Sequence, residues 1–378
     1  MPEQGKISIS QFTTLVLLFM VGTSTSLSPY IVVNLAKQDA WISALVGIGL
    51  GFLLALLYGI LVRRYPKMTL IETSETILGK WIGKIVSFLF FLYFLILTSG
   101  LVRVIGDFIT TNLMPETPIQ AIEIIFILTV IFAVRLGLET FSRTSEIILP
   151  TIFLFFLFTI LFLIPEIRFE NIAPILEDGI KPVLRGAFQL LGVPILDIVI
   201  LLMITPYVDT PKQIGKALII ATMLGGIFIF LIIIFSILVL GPDSTSNLNY
   251  PIYALAQKIN IGNFIQRVEV LAGGILFISM FIKTTICFYS MALSLAQIFR
   301  LKKYEMLTFP LGMIVLVLSI ILFPNIIYFN RFILKAWTPF VLIYGLILPV
   351  MLLVVDTVKK RFKKRNTDSI RKQGHSNG

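Results

Sequence analysis

Residues 22–29 read GTSTSLSP, a polar stretch that interrupts the first long apolar segment of the chain. Glycine and proline weaken a helix interior, and proline also removes a backbone hydrogen-bond donor. Inside a lipid bilayer the freed backbone groups are tolerated only where they face protein or a water-filled cavity. The stretch therefore predicts a transmembrane helix that breaks along its length, with the break turned toward the interior of the protein.

The composition around this stretch is that of a polytopic membrane protein. Of the 378 residues, 57% are hydrophobic and only 13% are charged, whereas a soluble domain has about 25% charged residues. A helix needs about 20 mostly apolar residues to cross the hydrocarbon of a bilayer. We predict an all-α polytopic membrane protein whose ten spans, numbered along the chain, lie near residues 11–36, 41–62, 83–111, 119–137, 147–165, 183–206, 214–240, 268–299, 306–324 and 337–356.

A second break is predicted in span six, where Gly192-Val193-Pro194 interrupts the apolar run and Asp197 follows about one turn later. Spans one and six each lead a set of five, and because five is odd the second set must enter the membrane from the opposite side. Two inverted five-helix repeats, each led by a discontinuous helix, are typical of transporters with a binding site at the two breaks. We place the repeats at about 8–165 and 183–357, within a single transmembrane domain, 1–357, that is followed by a basic tail, 358–378.

The breaks also have a simpler interpretation, because Gly and Pro are common in membrane helices and small residues often serve only helix packing. Two breaks in corresponding positions favour a binding site over packing. The candidate ligand-binding residues are therefore Gly22, Thr23, Ser24, Thr25, Ser26, Gly192, Val193, Pro194 and Asp197.

Charged residues inside the spans point to the same region. A charge deep in a bilayer is costly and usually faces the interior of the helix bundle. Lys283 lies near the middle of span eight, next to Thr284, and Asp197 of span six is its candidate partner. Arg103 and Asp107 of span three are spaced i, i+4, so they either neutralise one another or take part in gating. We predict gating or coupling roles for Arg103, Asp107, Lys283 and Thr284.

The chemistry of two helix breaks favours a zwitterionic ligand. The N-termini of half-helices offer bare N–H groups and a positive dipole end to a carboxylate. Freed carbonyls, together with serine and threonine hydroxyls, suit an ammonium or a small cation. A small amino acid is the first expectation, although a sugar or another small polar nutrient can use the same hydroxyls. We expect Lys283 either to replace a coupling cation or to relay a proton.

The net charge of +11 follows the loops of a membrane protein and does not indicate nucleic-acid binding. With the N-terminus placed inside, the basic residues of the loops and tail on that side outnumber those on the other side. The positive-inside rule then puts both termini in the cytoplasm. The tail sequence KKRFKKRN, residues 359–366, favours binding to anionic lipid headgroups over a specific docking site.

The residue content also argues against several other classes of protein. One cysteine, Cys287, and one histidine, His375, leave no basis for a disulfide framework or for a metal site built from these residues. No nucleophile–base pair is evident, because the intramembrane Ser and Thr residues have no histidine to activate them. We therefore expect no enzyme activity, no cofactor and no bound metal.

Short motifs in a fixed order give the chain a family resemblance. Besides the break at 22–29, they include DAWIS at 39–43, LIE at 70–72, ILGK at 77–80, APIL at 173–176, KPVL at 181–184 and FIK at 281–283. In this order the chain resembles the B subunits of GerA-type spore germinant receptors. These form the spore germination permease family of the amino acid/polyamine/organocation superfamily, whose fold is LeuT-like. Members often carry a Glu in the middle of span six, whereas this chain has Asp197.

The resemblance implies a nutrient sensor in the inner membrane of a bacterial spore, with a germinant pocket in the B subunit. It also implies two partners, a cognate A-type membrane subunit and a C-type lipoprotein. Ligand binding would then lead to ion release and to dipicolinate release. Two other functions stay open. One is a secondary amino acid transporter coupled to protons or other ions, and the other is a channel for ions or water that the ligand opens.

Overall fold

The computed structural model describes residues 5–24, 26–259 and 268–376, and within these ranges the chain is almost entirely helical. The only β geometry in this part of the chain is an isolated bridge between Ile7 and Val208. The helices of the first five spans are Ile9–Ser24 and Ser28–Ala36 (span one), Ala40–Arg64 (two), Lys80–Asn112 (three), Ile119–Arg135 (four) and Leu138–Leu163 (five).

The second five spans contain more irregular helix than the first. Span six is Ile180–Leu190, the π-helical Leu191–Ile195 and the 3-10 segment Leu196–Met203. Span ten also holds two π-helical turns, Ile333–Trp337 and Ile343–Ile347. The remaining helices are Ile214–Phe235 (seven), Val268–Ile298 (eight), Thr308–Leu322 (nine), Ile326–Phe332, Thr338–Leu342 and Leu348–Ser376 (all ten), and the short connecting helices Leu70–Leu78, Pro242–Asn247 and Pro251–Gln257.

Eight helical stretches of the described residues are long and apolar enough to cross a membrane. One of them, Ser28–Arg64, joins the second half of span one to span two. The first half of span one, Ile9–Ser24, and span four, Ile119–Arg135, are shorter helices. The ten predicted spans correspond to these ten helical units, and the predicted all-α membrane fold with discontinuous helices one and six is confirmed.

Spans five and ten begin earlier in the structure than predicted from the sequence. Span five starts at Leu138, directly after Gly137 with φ 91°, and not at 147. Arg143 and Glu139 are paired on this extra helix at 2.5 Å, so polar residues that suggested a loop lie on the helix surface. Span ten starts at Ile326 and not at 337, because the Asn325 side chain accepts a hydrogen bond from Tyr328 N and caps the helix.

The spans pack as two groups of helices around a shared centre. Spans one, two, six and seven contact one another, and spans three, four, eight and nine form the second group. Spans two and seven come close at two glycines, since a Cβ on Gly59 would lie 3.3 Å from Gly215 Cα. Small residues at such crossings let membrane helices approach closely. Span one also contacts span eight, and this contact joins the two groups.

The two interrupted helices meet at the centre of the molecule. Helix Ile9–Ser24 contacts both Leu191–Ile195 and Leu196–Met203. In span six, 94% of the most apolar window is buried inside the protein, compared with 22% in span five. Irregular backbone in span six therefore faces other helices, as a membrane requires of freed backbone groups.

Candidate functional site

The break in span one is a tight turn built around the Thr23 carbonyl. This oxygen accepts hydrogen bonds from Ser26 N at 3.3 Å, from Leu27 N at 2.9 Å and from Ser26 Oγ at 3.3 Å. The predicted site residue Thr25 and the side chain of Ser24 lie outside the described residues. Gly22 lies against span eight, because a Cβ at this position would be 3.0 Å from both Lys283 Cβ and the Ser279 carbonyl oxygen. The sequence folds this way locally because only a glycine allows span eight to approach so closely.

The break in span six is carried by Val193, whose φ of −137° and ψ of 112° are those of an extended residue inside a helical segment. Gly192 lies against Thr338 of span ten, with no room for a Cβ. Thr338 in turn donates a hydrogen bond to Gln189 Oε1, and Gln189 Nε2 donates to the Leu334 carbonyl at 2.5 Å. The side chains of Gln189 and Thr338 thus join spans six and ten beside the break, and Gln189 satisfies one backbone carbonyl of span ten.

Lys283 and Asp197 form an ion pair between the two breaks, with 3.3 Å from Nζ to Oδ2 and side chains only 0% and 1% exposed. The Lys283 ammonium also donates to Thr23 Oγ1 at 2.9 Å and lies 4.3 Å from the centre of the Phe19 ring. Asp197 Oδ1 accepts a second hydrogen bond, 2.7 Å long, from the Tyr93 hydroxyl. A buried ion pair is tolerable only when such additional partners satisfy its remaining polar atoms.

A small cavity of about 30 Å³ adjoins this cluster. That volume holds about one or two water molecules, whereas pockets that bind small molecules usually measure about 300–1,000 Å³. Thr23, Val193 and Asp197, from the two broken helices, are among the residues that line the cavity. The other lining residues are Leu27, Leu97, Gly100, Leu101, Val104, Phe323, Phe329, Phe332, Ile333 and Trp337. The site is thus closed in this conformation.

The other three predicted gating or coupling residues bond to partners outside the Lys283–Asp197 ion pair. Lys283 itself is not among the described residues that line the cavity. Arg103 Nε and Asp107 Oδ2 pair with each other at 3.0 Å, and Arg103 Nη2 donates to the Pro324 carbonyl at 3.4 Å. Thr284 Oγ1 donates to the carbonyl of Met280 in its own helix at 2.8 Å. None of these three predicted residues is among the described residues that line the cavity. The polar face of span three therefore turns toward neighbouring helices.

The face of span three that lines the cavity is mostly apolar. Leu97, Gly100, Leu101 and Val104 follow the spacing i, i+3, i+4, i+7, which marks one side of a helix. Tyr93 lies one turn before Leu97 on the same side. Sequence reasoning missed this face because it looked for charged and hydroxyl residues, although the spacing itself is visible in the sequence.

Two other contributors to the site were also missed. Phe19 faces the Lys283 ammonium from the first half of span one. Trp337 lines the cavity from a π-helical turn of span ten, and such turns are rare in proteins and frequent at functional sites. A lone tryptophan at the start of a predicted span is a weak signal, because tryptophan is also common at membrane interfaces.

Comparison with solved structures shows the fold class. The structure of MhsT in complex with L-phenylalanine matches with a TM-score of 0.67 and 16% identity, over 94% of this chain and 99% of that one. Mhp1, a nucleobase-cation-symport-1 family transporter solved in a closed conformation with bromovinylhydantoin bound, matches with a TM-score of 0.65 and 13% identity, over 88% of this chain and 77% of that one. The fold is therefore that of the LeuT-type transporters.

Sequence comparisons identify the family within this class. The family model described as spore germination protein matches residues 6–327, so the chain belongs to the spore germination permease family. Spore germination protein KB of Bacillus subtilis is 28% identical over 96% of this chain and 98% of its own length. YndE, a second spore germination protein of that organism, is 28% identical over 95% of this chain and 99% of its own length. The predicted family is confirmed.

Proposed function

We propose that this chain is the B-type, nutrient-sensing membrane subunit of a spore germination receptor, and that it binds a small nutrient and triggers germination. The observation that carries the proposal is the junction of the two broken helices, where Thr23, Asp197 and Lys283 meet beside a closed cavity. Two relatives that are named spore germination proteins match nearly the whole chain, and they support the germination role.

An amino acid is the favoured nutrient. A helix that restarts after a break offers backbone N–H groups that suit a carboxylate, and spans one and six are both interrupted here. The carboxylate of Asp197 and the hydroxyl of Thr23 suit an ammonium. MhsT, which shares the fold, was solved with an amino acid bound. The residues proposed to form the pocket are Gly22, Thr23, Ser24, Thr25, Ser26, Gly192, Val193, Pro194 and Asp197, with gating or coupling by Arg103, Asp107, Lys283 and Thr284.

The closed cavity suggests how binding becomes a signal. A ligand shifts a conformational equilibrium only when it binds one state more tightly than the other. With about 30 Å³ available, the closed state has no room for a nutrient. Nutrient therefore binds the opened state and draws the equilibrium toward it. We assign the closed conformation to the resting receptor.

The proposal includes the surroundings of the subunit. It places the chain in the inner spore membrane. It also places both termini in the cytoplasm, which the distribution of basic residues favours. It includes a cognate A-type membrane subunit and a C-type lipoprotein as partners, and anionic lipid as the partner of the basic tail. It includes no nucleic acid, no cofactor and no catalysis.

A secondary amino acid transporter is the second candidate function. The fold shared with MhsT and Mhp1 favours it, as does the Lys283 ammonium, which supplies a buried positive charge where two broken helices meet. Such a charge is able to take the place of a coupling cation. Uptake by this chain alone that follows an ion gradient would support the transporter over the receptor.

Dipicolinate release from spores tests the main proposal. The spores lack their other germinant receptors, carry this chain with its cognate partners, and are challenged with amino acids, sugars and nucleosides. We expect release with at least one nutrient, and a weakened response in Gly22→Leu, whose side chain collides with span eight. Gly49→Leu is the matched control, because nothing lies within 4 Å of a Cβ at this exposed glycine of span two. An assembled complex that responds to no nutrient would contradict the proposal.

A further inference from the structure

Glu123 of span four is a fully buried acidic side chain that lies outside the nutrient site. Its exposed fraction is 0%, and it belongs to a helix that crosses the bilayer. Its Oε2 lies 2.8 Å from Ser319 Oγ of span nine, whereas its Oε1 has no hydrogen-bond partner among the described residues. An ionised carboxylate buried with a single hydrogen bond is strongly unfavourable. The surroundings of Glu123 therefore favour its neutral form.

The hydrogen bonds of Ser319 indicate that Glu123 carries a proton. Ser319 Oγ lies 2.7 Å from the Leu316 carbonyl oxygen of its own helix and 2.8 Å from Glu123 Oε2. A hydroxyl has one proton, so it can donate fully to only one of these two oxygens. When Ser319 donates to the Leu316 carbonyl, the second short contact is a hydrogen bond only if Glu123 donates to Ser319. Among the two forms of glutamate, the protonated acid alone has a proton to donate.

The neighbouring charges leave one negative charge in excess. Arg103 and Asp107 of span three act on Glu123 electrostatically, and they already pair with each other at 3.0 Å. One cation and two carboxylates would give this group a net charge of −1 if Glu123 were ionised. A bound proton on Glu123 makes the group neutral, which suits the interior of a membrane protein.

The other helices that pack on span four bring mainly apolar groups to this region. Span nine, Thr308–Leu322, contains no charged residue. Span eight contacts span four through Phe277 and Phe281, whose rings pack on Phe126 one turn after Glu123. The charged residues of spans five and eight bond to other partners or lie half-buried at a helix start, and they are Glu139, Arg143, Glu146, Glu269 and Lys283.

We propose that Glu123 is a proton-binding site, protonated in the closed state, and that opening of the central cavity releases its proton to water. The helices that hold this proton also line the cavity. Ser319 lies one turn before Phe323, which is a lining residue. Gly106 packs on Glu123, since a Cβ there would be 3.0 Å from Glu123 Oε1, and it lies two residues after the lining residue Val104.

Opening of the cavity therefore acts on the proton site. Admission of a ligand requires Phe323 and span three to move, because the closed cavity measures only about 30 Å³. Such a movement separates Ser319 from Glu123 and lets water reach the acid. A solvated glutamic acid is ionised at neutral pH, so its proton passes to water. This step rests on the assignment of the closed conformation to the resting receptor.

The proton makes the conformational equilibrium depend on pH. The closed state holds one proton more than the open state, so a rise in pH favours opening and a fall in pH favours the closed state. One proton changes the ratio of the two states by up to about tenfold for each pH unit. By the same linkage, a ligand that binds the open state releases a proton.

Infrared spectroscopy of the full chain in lipid nanodiscs, without any nutrient, tests the proton itself. At neutral pH we expect the C=O stretch of a protonated carboxyl group that shifts on deuterium exchange and is lost in Glu123→Gln. Because glutamine has the shape of the neutral acid and can also donate to Ser319, this variant should unfold at the same temperature as the parent. Glu116→Gln, at an exposed position of the loop before span four, is the matched control and should retain the band.

Two infrared results would overturn the inference. One is a spectrum of protonated carboxyl groups that Glu123→Gln leaves unchanged. The other is a carboxylate band, lost in Glu123→Gln, that changes on addition of Na⁺ or K⁺, because a bound cation would then neutralise the group. Neither result would bear on nutrient sensing, which dipicolinate release tests separately.

Fluorescence of Trp337, which lines the cavity, tests the release on opening. The chain has 3 tryptophans, so the Trp41→Phe/Trp81→Phe variant leaves Trp337 as the only emitter. We expect its emission to shift to longer wavelength as the pH rises, since water enters the cavity, and to lose this shift once Glu123→Gln is added. Emission that is independent of pH in the first variant, or equally dependent on pH in both, would overturn the coupling of Glu123 to the cavity.

Discussion

Lys283 Nζ lies 3.3 Å from Asp197 Oδ2, and this contact joins span eight to the break of span six. The same ammonium donates to Thr23 Oγ1 at 2.9 Å, so one side chain contacts both broken helices. With exposures of 0% and 1%, neither side chain reaches solvent. Either ion alone would be left in the protein interior without an opposite charge beside it, which is far less favourable than the pair. We therefore expect the loss of one charge to destabilise the protein more than the loss of both charges.

The ion pair predicts that substitutions of Lys283 and Asp197 have strongly non-additive effects on stability. Lys283→Met should destabilise the protein by about 3–5 kcal/mol, because it leaves the Asp197 carboxylate with no cation beside it. Lys283→Met/Asp197→Asn should recover most of that loss, since no uncompensated charge remains. Thermal unfolding in detergent, measured for both single variants and the double variant, checks this cycle. Additive losses would show that the two side chains do not interact.

Substitution of Tyr93, which bonds to the same carboxylate, should have a milder effect on stability. Tyr93→Phe removes the 2.7 Å hydrogen bond to Asp197 but retains the ring, which stacks on Tyr344 with centroids 4.8 Å apart. A hydrogen bond to a charged group contributes about 1.5–3 kcal/mol, so we expect a loss of stability in that range and a changed nutrient threshold for dipicolinate release. Tyr328→Phe, at an exposed position of span ten, is the control and should change neither.

Gly192 predicts a steric effect that a second substitution relieves. Gly192→Ala places a methyl group against Thr338, and overpacking of this kind typically costs about 1–3 kcal/mol. Gly192→Ala/Thr338→Ala should be less destabilised than the sum of the two single variants, because the second change removes the colliding atoms. The measurement is again unfolding of purified protein, with Gly49→Ala as the uncrowded control. A fully additive double variant would argue against this contact.

Substitution of Asp356 should change the pKa of Tyr65, which lies at the end of span two. Burial and then the 2.6 Å hydrogen bond from the Tyr65 hydroxyl to Asp356 raise the pKa of Tyr65 to about 12. Asp356→Asn removes the negative charge near the hydroxyl and should lower this pKa toward 10.0, the ordinary tyrosine value. Carbon-13 NMR of labelled tyrosine, with Tyr65→Phe to assign the signal, checks the shift. An unchanged titration would mean that burial alone sets the pKa.

The raised pKa also sets the sign of a pH effect on stability. The Tyr65 hydroxyl stays protonated to higher pH in the folded protein than in the unfolded chain. Its contribution is therefore complete below the unfolded pKa, near 10.0, and is lost as the pH rises through about 12. Asp356→Asn should reduce the steepness of this alkaline loss.

Much of the architecture follows from the sequence because a bilayer imposes simple rules. Long apolar runs must be helical, and breaks in them must face protein, so the runs and the polar stretch at 22–29 determine the spans and the first break. The Gly192–Pro194 interruption determines the second break in the same way. Lys283 in mid-span requires a partner, and Asp197 was the nearest chemical match. These inferences rest on local chemistry and on one-dimensional spacing.

The remaining features of the site depend on how helices rotate and pack against one another. Span three has two plausible inward faces, and packing against spans four and nine turned the polar one, with Arg103 and Asp107, away from the cavity. A π-helical turn of span ten carries Trp337, which lines the cavity. The sequence by itself determined that two broken helices carry the site. Only the tertiary structure decided which side chains line it, because rotation about a helix axis is set by contacts between residues far apart in the chain.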